Sequence, residues 1–363
     1  MRTLRLLLIC GVAIILAACG EPDLRSKAEG GDSMAQSRLG MMYLKGDGVP
    51  KDLAESSKWF RMAADQGNAA AQYNLGVMYA TGDGVPQDSA EALKWYRKAA
   101  DHGNAIAQFT LGVTYEHGVG VPKDLTEAVK WFRKAADQGY VNAQYMLGSM
   151  YHMGTDVPKD DVEAAKWYRK AADQGDAAAQ DSLGMMYRKG EGVPKDQAAA
   201  VKWFRKAADQ GEGKSQFFLG ISYQYGEGVP KDLPESSKWF RKAADQADAM
   251  ELFGYGFEYY MGTYVPKDAA EAARWFRMAA DQGYVAAQNF VGMMHRFGEG
   301  VPKDEAEAYA WYNLAAASHS DARKWRDELE KSLTPEQKAR AQQRSTELHK
   351  EIEAKKAAKA AGK

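Results

Sequence analysis

Apolar residues occur at helical spacing in two segments of every 36-residue stretch of this chain. In the stretch 68–103, they lie at Ala71, Leu75, Met78 and Tyr79, and then at Ala92, Trp95, Tyr96 and Ala99. Each segment predicts an amphipathic helix. A tryptophan keeps the same 36-residue step, at Trp59, Trp95, Trp131, Trp167, Trp203, Trp239, Trp275 and Trp311. A fixed period of this length indicates a repeat array.

Turn signals separate the two predicted helices of each stretch. The segment Gly82–Pro86 lies between them, and its proline recurs at the same step. Glycine accepts positive φ and proline cannot continue a helix, so this segment predicts a turn. Asp88 followed by Glu91 predicts a capping box at the second helix, and Gly103 predicts its end. Gly76 is expected to let the two helices approach closely.

One such helix pair cannot bury both its faces, so stacked neighbours must cover them. We expect Trp95 to supply bulk where the two helices and the next repeat meet. The predicted fold is all-α, with eight helix–turn–helix repeats over residues 32–319. They begin near Asp32, Asn68, Asn104, Tyr140, Asp176, Glu212, Asp248 and Tyr284. Residues 19–31 are expected to form a tether and a partial N-terminal cap.

The segment 320–363 is expected to close the array. Asp321–Ser332 predicts a polar closing helix, and Thr334 with Pro335 predicts the start of another. From residue 337 onward there are eight Lys or Arg against three Glu. We expect this last helix to fray into a basic tail. Such a tail either contacts anionic lipid or glycan or is simply a solvated end, and its composition favours the solvated end.

The first eighteen residues resemble the signal peptide of a bacterial lipoprotein. Arg2 and Arg5 precede an apolar run, which ends in the lipobox-like segment Leu16–Cys19. The resemblance implies that Cys19 carries lipid and begins the mature chain. An ordinary signal peptide with a chance cysteine, or an uncleaved anchor, is the alternative. Gly20 favours the outer membrane over the inner membrane in a Gram-negative organism. Removal of Cys10 with the signal then leaves no thiol for a disulfide.

The repeat unit resembles the Sel-one-like repeat family, which is related to tetratricopeptide repeats. The motif that carries the resemblance is A-x-x-L-G-x-M-Y-x-x-G-x-G-V-P-x-D-x-x-E-A-x-K-W-[FY]-R-K-A-A-D-Q-G. It covers Asp32 to about Ala317. The resemblance implies a right-handed α-solenoid that acts as an adaptor or scaffold for protein complexes. Together with the lipobox, it implies the bacterial envelope branch of that family.

Composition and motifs argue against several other function classes. The net charge of −1 gives no indication of nucleic acid as a partner. The six histidines form no zinc pattern, and no G-x-S-x-G nucleophile motif occurs, so we expect no metal, cofactor or catalytic site. The Gly-x-Gly turns lack the context of a phosphate loop. Asp and Glu recur with the repeat, which predicts helix caps rather than a catalytic pair.

Positions that vary between repeats, yet carry large side chains, are the candidates for partner contact. In tetratricopeptide-like solenoids the first helices line the concave face, so we take outward positions of these helices. In repeats six to eight these positions become aromatic: Phe217, Phe218, Tyr225, Phe253, Phe257, Tyr260, Phe290 and Phe297. Exposed aromatic area often forms a binding hot spot. The alternative is that half of them pack between adjacent repeats.

Repeat seven departs most from the motif, with Glu251 and Leu252 at the usual Ala-Gln. It also has Tyr264 at the second turn glycine, where repeat four has Asp156. Since tyrosine rarely adopts positive φ, repeat seven is expected to have altered curvature or an unusual ligand loop. Plain drift is an equally good interpretation.

These observations favour a lipid-anchored scaffold on the periplasmic side of the outer membrane. It would bind protein partners of the cell envelope through the concave face. The alternative is a polysaccharide- or peptidoglycan-associated factor of an export or cell-wall machine, whose aromatic residues stack on sugars. A residual hydrolase is a third hypothesis. Few amides accompany the aromatic residues, which favours protein over glycan.

Overall fold

The computed structural model of the chain describes residues 21–155, 157–263 and 265–361. The predicted signal segment 1–18, the predicted lipid site Cys19 and the turn residues Asp156 and Tyr264 lie outside the described residues. In the described part, every regular element is an α-helix. The helices fall into two compact units, one ending at Asp196 and the other beginning at Gln197.

The first unit contains the helices α1 Glu21–Glu29, α2 Ser33–Lys45, α3 Leu53–Asp65, α4 Ala69–Thr81, α5 Ser89–Asp101, α6 Ala105–His117, α7 Leu125–Asp137, α8 Val141–Met153, α9 Asp161–Asp173 and α10 Ala177–Lys189. The second unit contains α11 Gln197–Asp209, α12 Gly213–Tyr225, α13 Leu233–Gln246, α14 Ala249–Met261, α15 Ala269–Asp281, α16 Val285–Phe297, α17 Glu305–Ala315, α18 Ser320–Ser332 and α19 Pro335–Ala361. The boundary between the units falls inside the fifth repeat.

Each repeat consists of a first helix, A, and a second helix, B. The A helices are α2, α4, α6, α8, α10, α12, α14 and α16, and the B helices are the odd-numbered helices from α3 to α17. In the first unit, every B helix packs against its own A helix and against the next A helix. In the second unit, the B helices α11 and α15 likewise pack against the next A helices, α12 and α16. The predicted all-α solenoid of eight helix–turn–helix repeats is confirmed.

The predicted helix ends are confirmed, with one correction. Helix α4 ends at Gly82, whose φ of 81° is left-handed and whose N–H donates to Met78. Asp88 caps α5 by accepting the backbone N–H groups of Ala90 and Glu91. The predicted capping box is wrong here, because the Asp88 N–H donates to the Tyr79 carbonyl at 2.9 Å and the Glu91 carboxylate accepts from Lys94 Nζ at 2.9 Å.

Close approach of the A and B helices depends on a glycine, as predicted. A Cβ atom added to Gly76 would lie 2.7 Å from the Tyr96 ring. The same register holds aromatic rings against Gly40, Gly112, Gly148, Gly220, Gly256 and Gly292. Since real Cβ atoms do not approach a ring so closely, this position excludes every other residue unless the ring moves.

A ladder of buried glutamines joins consecutive repeats. Gln72 Nε2 donates to the Ala64 carbonyl at 2.9 Å. The same bond forms from Gln36, Gln108, Gln144, Gln180, Gln216 and Gln288, each to the carbonyl eight residues earlier. The amide thereby adds a second donor to a carbonyl at the end of the preceding helix, which in the case of Ala64 also accepts from the Gly67 N–H at 3.0 Å. Repeat seven has Leu252 at this position, so it lacks this bond.

The repeated tryptophan packs toward the preceding repeat, which corrects the prediction. Trp95 lies in one buried cluster with Phe60 and Ala63 of the preceding B helix and with Leu75 and Met78 of its own A helix. The prediction placed it against the next repeat. The tryptophan therefore closes the junction formed on its N-terminal side.

The C-terminal segment is a docked helix and not a frayed tail. Helix α19 continues to Ala361 and packs against α17, with contacts to α15. Leu348 and Ile352 are buried on it. Arg344 Nε lies 3.1 Å from the Glu307 carboxylate, and Lys355 Nζ lies 2.7 Å from that of Asp281. The cationic residues thus pair with acidic groups of the last B helices, which the charge count did not predict.

Candidate interaction surface

Four of the eight predicted aromatic residues form one cluster on helices α14 and α16. Phe253 lies 6.1 Å from Phe257 and 5.3 Å from Phe290, measured between ring centroids. Phe290 also lies 6.2 Å from Phe257 and 5.8 Å from Tyr260. Phe276 of α15 lies beneath them, fully buried and 5.0 Å from Phe290. We call Phe253, Phe257, Tyr260 and Phe290 the aromatic patch.

The aromatic patch is accessible to a partner. The side chain of Phe257 is 39% exposed, and Met261 on the next turn of α14 is 56% exposed. Phe253, Tyr260 and Phe290 are half-buried and hold Phe257 in place. An exposed aromatic residue seated on others loses little conformational entropy on binding, which is typical of a hot spot.

Charged and polar groups border the aromatic patch at Tyr260. The Tyr260 hydroxyl donates to Glu299 Oε2 at 3.2 Å. Lys267 Nζ lies 5.3 Å from the centre of the Tyr260 ring, within the range of a cation–π interaction. Burial, and after it the Glu299 carboxylate, raises the pKa of Tyr260. The hydroxyl therefore stays protonated at neutral pH and remains a donor.

Three residues of this surface, Tyr284, Lys267 and Glu299, are not among those predicted from the sequence. Tyr284 lies 5.3 Å from Phe253, although it occupies the N-cap of α16 rather than an outward helix position. Lys267 and Glu299 belong to turns, and Glu299 reaches Tyr260 across the boundary between repeats seven and eight. A search restricted to variable A-helix positions could not find them. A bulky residue at an N-cap, where Asn or Asp is favoured, was the available signal for Tyr284.

Phe217 and Phe218 do not belong to an exposed surface, and their prediction as partner contacts is wrong. Phe217 is fully buried, stacked 4.1 Å from Tyr255 and edge-on to Trp275. Phe218 is also buried and stacks against Phe204. At the position of Tyr255 the other repeats have an aliphatic residue, usually Leu. The Tyr255 ring instead stacks on Phe217, and Phe217 is therefore buried.

Tyr225 and Phe297 lie at the C-terminal ends of α12 and α16. Phe297 is 58% exposed, with the guanidinium of Arg296 5.4 Å from its ring centre. Tyr225 is half-buried, and its pKa is raised by burial and by the carboxylates of Asp268, Glu271 and Glu227. Within the described residues, no ring contact joins either one to the aromatic patch. Their role as partner contacts stays a prediction.

Within the described ranges, the chain has neither a cluster of metal ligands nor a helix that could span a membrane. Among the described residues, no group of three or more His, Cys, Asp or Glu is placed to hold a metal ion. Within the same ranges, no helix has the length and apolarity needed to cross a bilayer. Repeats seven and eight of this helical repeat protein carry an apolar, aromatic patch on helices α14 and α16.

This chain belongs to the Sel1 repeat family. The family model matches eight times in tandem, at residues 33–68, 69–104, 105–140, 141–176, 177–212, 213–248, 252–284 and 285–320. This confirms the resemblance stated from the motif. Sel1 repeats generally form protein-interaction scaffolds. The seventh match begins three residues late, at Leu252, where the glutamine ladder is interrupted.

Solved structures of similar proteins agree with this assignment. The chain is 35% identical to a Sel1 repeat protein from Oxalobacter formigenes, over 88% of this chain and 93% of that chain, with a TM-score of 0.58. It is 30% identical to a protective antigen present in uropathogenic Escherichia coli strains and displaying an SLR fold, over 93% of this chain and 96% of that chain, with a TM-score of 0.56. No curated protein matches the chain.

Proposed function

We propose that this Sel1 repeat protein is a lipid-anchored, non-catalytic scaffold of the bacterial envelope, which binds a protein partner through the aromatic patch. The observation that carries the proposal is the exposed Phe257 seated on Phe253 and Phe290. In repeats two to four the same register holds Val77, Val113 and Ser149. The aromatic surface is therefore a local feature and not a requirement of the repeat.

The chemistry of the patch favours a partner with apolar or aromatic side chains. Lys267 and Glu299 at its border can pair with groups of either sign and fix the orientation of the partner. Sugar-binding surfaces combine aromatic faces with several amides or carboxylates, whereas Glu299 is the acidic group that contacts the patch directly. This contrast supports protein over glycan.

Substitution of Phe257 by glutamate tests the proposal. We expect Phe257→Glu to abolish co-purification of the partner from cross-linked cells, because it places a charge in an apolar contact. Val77→Glu, at the same register of repeat two, is the matched control and should leave co-purification unchanged. Circular dichroism confirms that both variants fold. Equal recovery of all partners from Phe257→Glu and the unsubstituted chain would contradict the proposal.

The proposed lipid anchor has its own test. Cys19→Ala should remove the acylation site and release the chain from the membrane fraction, because the acyl chains supply its membrane affinity. Cys10→Ala is the matched control, as its cysteine would be removed with the signal peptide. Membrane association that persists unchanged in Cys19→Ala would contradict the anchor while leaving the partner proposal intact.

A further inference from the structure

At five junctions between repeats within the described residues, a tyrosine side chain fills the same space beside an arginine. There, the arginine after the W-[FY] pair of a B helix donates to a tyrosine hydroxyl on the next A helix. The pairs are Arg61–Tyr79, Arg97–Tyr115, Arg133–Tyr151, Arg169–Tyr187 and Arg205–Tyr223. In each pair the guanidinium carbon also lies 5.4–5.8 Å from the ring centre.

Repeat eight has His295 where these repeats have tyrosine. The arginine that corresponds to Arg61 is Arg277, and among the described residues His295 Nδ1 has no hydrogen bond to it. Arg277 Nε donates to Asp281 Oδ1 at 2.9 Å, and its guanidinium carbon lies 4.7 Å from the centre of the Trp311 ring. Imidazole is shorter than phenol, so it cannot restore the lost contact.

A cavity of about 670 Å³ lies at this position. Its apolar wall includes Ala273, Met278, Val291 and Met294, and Arg277 and His295 also line it. The volume is in the range of small-molecule sites, and a mostly apolar wall with a few polar groups is typical of them. His295 Nδ1 is buried and has no hydrogen-bond partner among the described residues. A buried nitrogen without a partner costs free energy, which a ligand with a polar group can recover.

We propose that this His295 pocket binds a 4-hydroxyphenyl group in the cavity that lies beyond the imidazole, where a longer tyrosine side chain would project. The hydroxyl of a phenol both donates and accepts, so it can accept from Arg277 and donate to His295 Nδ1. Its ring would pack on Val291 and Met294. The group belongs either to a free phenolic molecule or to a tyrosine of a bound peptide. This inference does not depend on the proposed scaffold function.

Isothermal titration calorimetry of the purified full chain with p-cresol tests the proposal. We expect saturable binding to one site. Toluene, which lacks the hydroxyl, should bind at least about tenfold more weakly, because it leaves His295 Nδ1 unpaired. Equal affinity for p-cresol and toluene, or no saturable binding of p-cresol, would overturn the proposal.

Two substitutions exchange histidine and tyrosine at this position of the repeat. His295→Tyr restores the residue of the other repeats and should abolish p-cresol binding while the chain stays folded by circular dichroism. Tyr151→His is the converse change in repeat four and should raise the stoichiometry from one to two. Unchanged p-cresol binding in His295→Tyr, or a stoichiometry of one in Tyr151→His, would contradict the argument from the missing tyrosine.

A short capped peptide, Gly-Tyr-Gly, distinguishes the two sources of the phenol. Tighter binding of this peptide than of p-cresol would assign the pocket to a tyrosine of a partner protein. Binding of p-cresol together with rejection of the peptide would assign it to a small phenolic molecule. Both results depend on the same pocket, so each should disappear in His295→Tyr.

Discussion

Replacing Gly112 by alanine should destabilise this protein, although alanine is normally the better helix former. Gly112 lies within α6, and an added Cβ would come within 2.5 Å of two ring carbons of Phe132. Phe132 is fully buried, so its ring cannot turn into solvent. Gly254 within α14 is a matched control, because an added Cβ there meets nothing within 4 Å.

The two effects of Gly112→Ala have opposite signs. Alanine gains about 1 kcal/mol over glycine in a helix interior. Overpacking a closed core costs about 1–3 kcal/mol, and the enclosed Phe132 ring favours about 2–3 kcal/mol here. The net loss of unfolding free energy in Gly112→Ala is therefore about 1–2 kcal/mol. Gly254→Ala should instead gain about 0.5–1 kcal/mol.

Urea denaturation followed by circular dichroism measures both changes. Because repeat arrays do not always unfold in one step, hydrogen exchange of the α6 amides should accompany it. The double variant Gly112→Ala with Phe132→Leu should recover part of the unfolding free energy that Gly112→Ala loses. Comparison with the two single variants then gives a coupling energy between the two positions. A Gly112→Ala variant stabilised as much as Gly254→Ala would refute the reasoning from helix approach.

Three further predictions concern single residues. Phe217→Ala should lower the free energy of unfolding by about 3–5 kcal/mol because it opens a cavity in the core, whereas Phe257→Ala should change it by less than about 1 kcal/mol; urea denaturation compares them. Gln144→Leu should cost about 0.5–1.5 kcal/mol because the Ala136 carbonyl loses one donor while it keeps the Gly139 N–H, and faster hydrogen exchange at the α7–α8 junction would report it. Burial, and after it the charge of Arg277, lowers the pKa of His295 against the opposing carboxylates, so protonation favours unfolding. Stability should fall as pH drops below about 6.5. A His295→Gln variant should lose that pH dependence in thermal melts, and an unchanged dependence would contradict the assignment.

The repeat boundaries were predictable because packing imposes them on every copy. A glycine faces a ring seven times among the described residues, and a tryptophan recurs eight times along the chain, so the period appears in the sequence itself. The absence of a capping box at Asp88 was not predictable in the same way. The Asp88 N–H donates to the Tyr79 carbonyl instead of the Glu91 carboxylate, and a local motif does not reveal this contact with the preceding helix.

The candidate site was only partly predictable. Phe253 and Phe217 occupy the same register, yet Phe253 is half-buried beside the exposed Phe257 and Phe217 is fully buried. The difference arises from Tyr255, which stacks on Phe217 from another repeat. Docking of α19 also depends on acidic residues far along the chain, such as Asp281 with Lys355. Contacts between residues distant in sequence leave no periodic signal.

In-cell photocrosslinking from position 257 tests the central claim most directly. A photoreactive amino acid would replace Phe257, and control probes would replace Val77 at the same register of repeat two and the exposed Lys238 on a B helix. The account predicts one defined protein captured from position 257 and from neither control, with capture lost when Phe290→Ala is added. Equal capture from all three positions, or no protein captured from position 257, would contradict it.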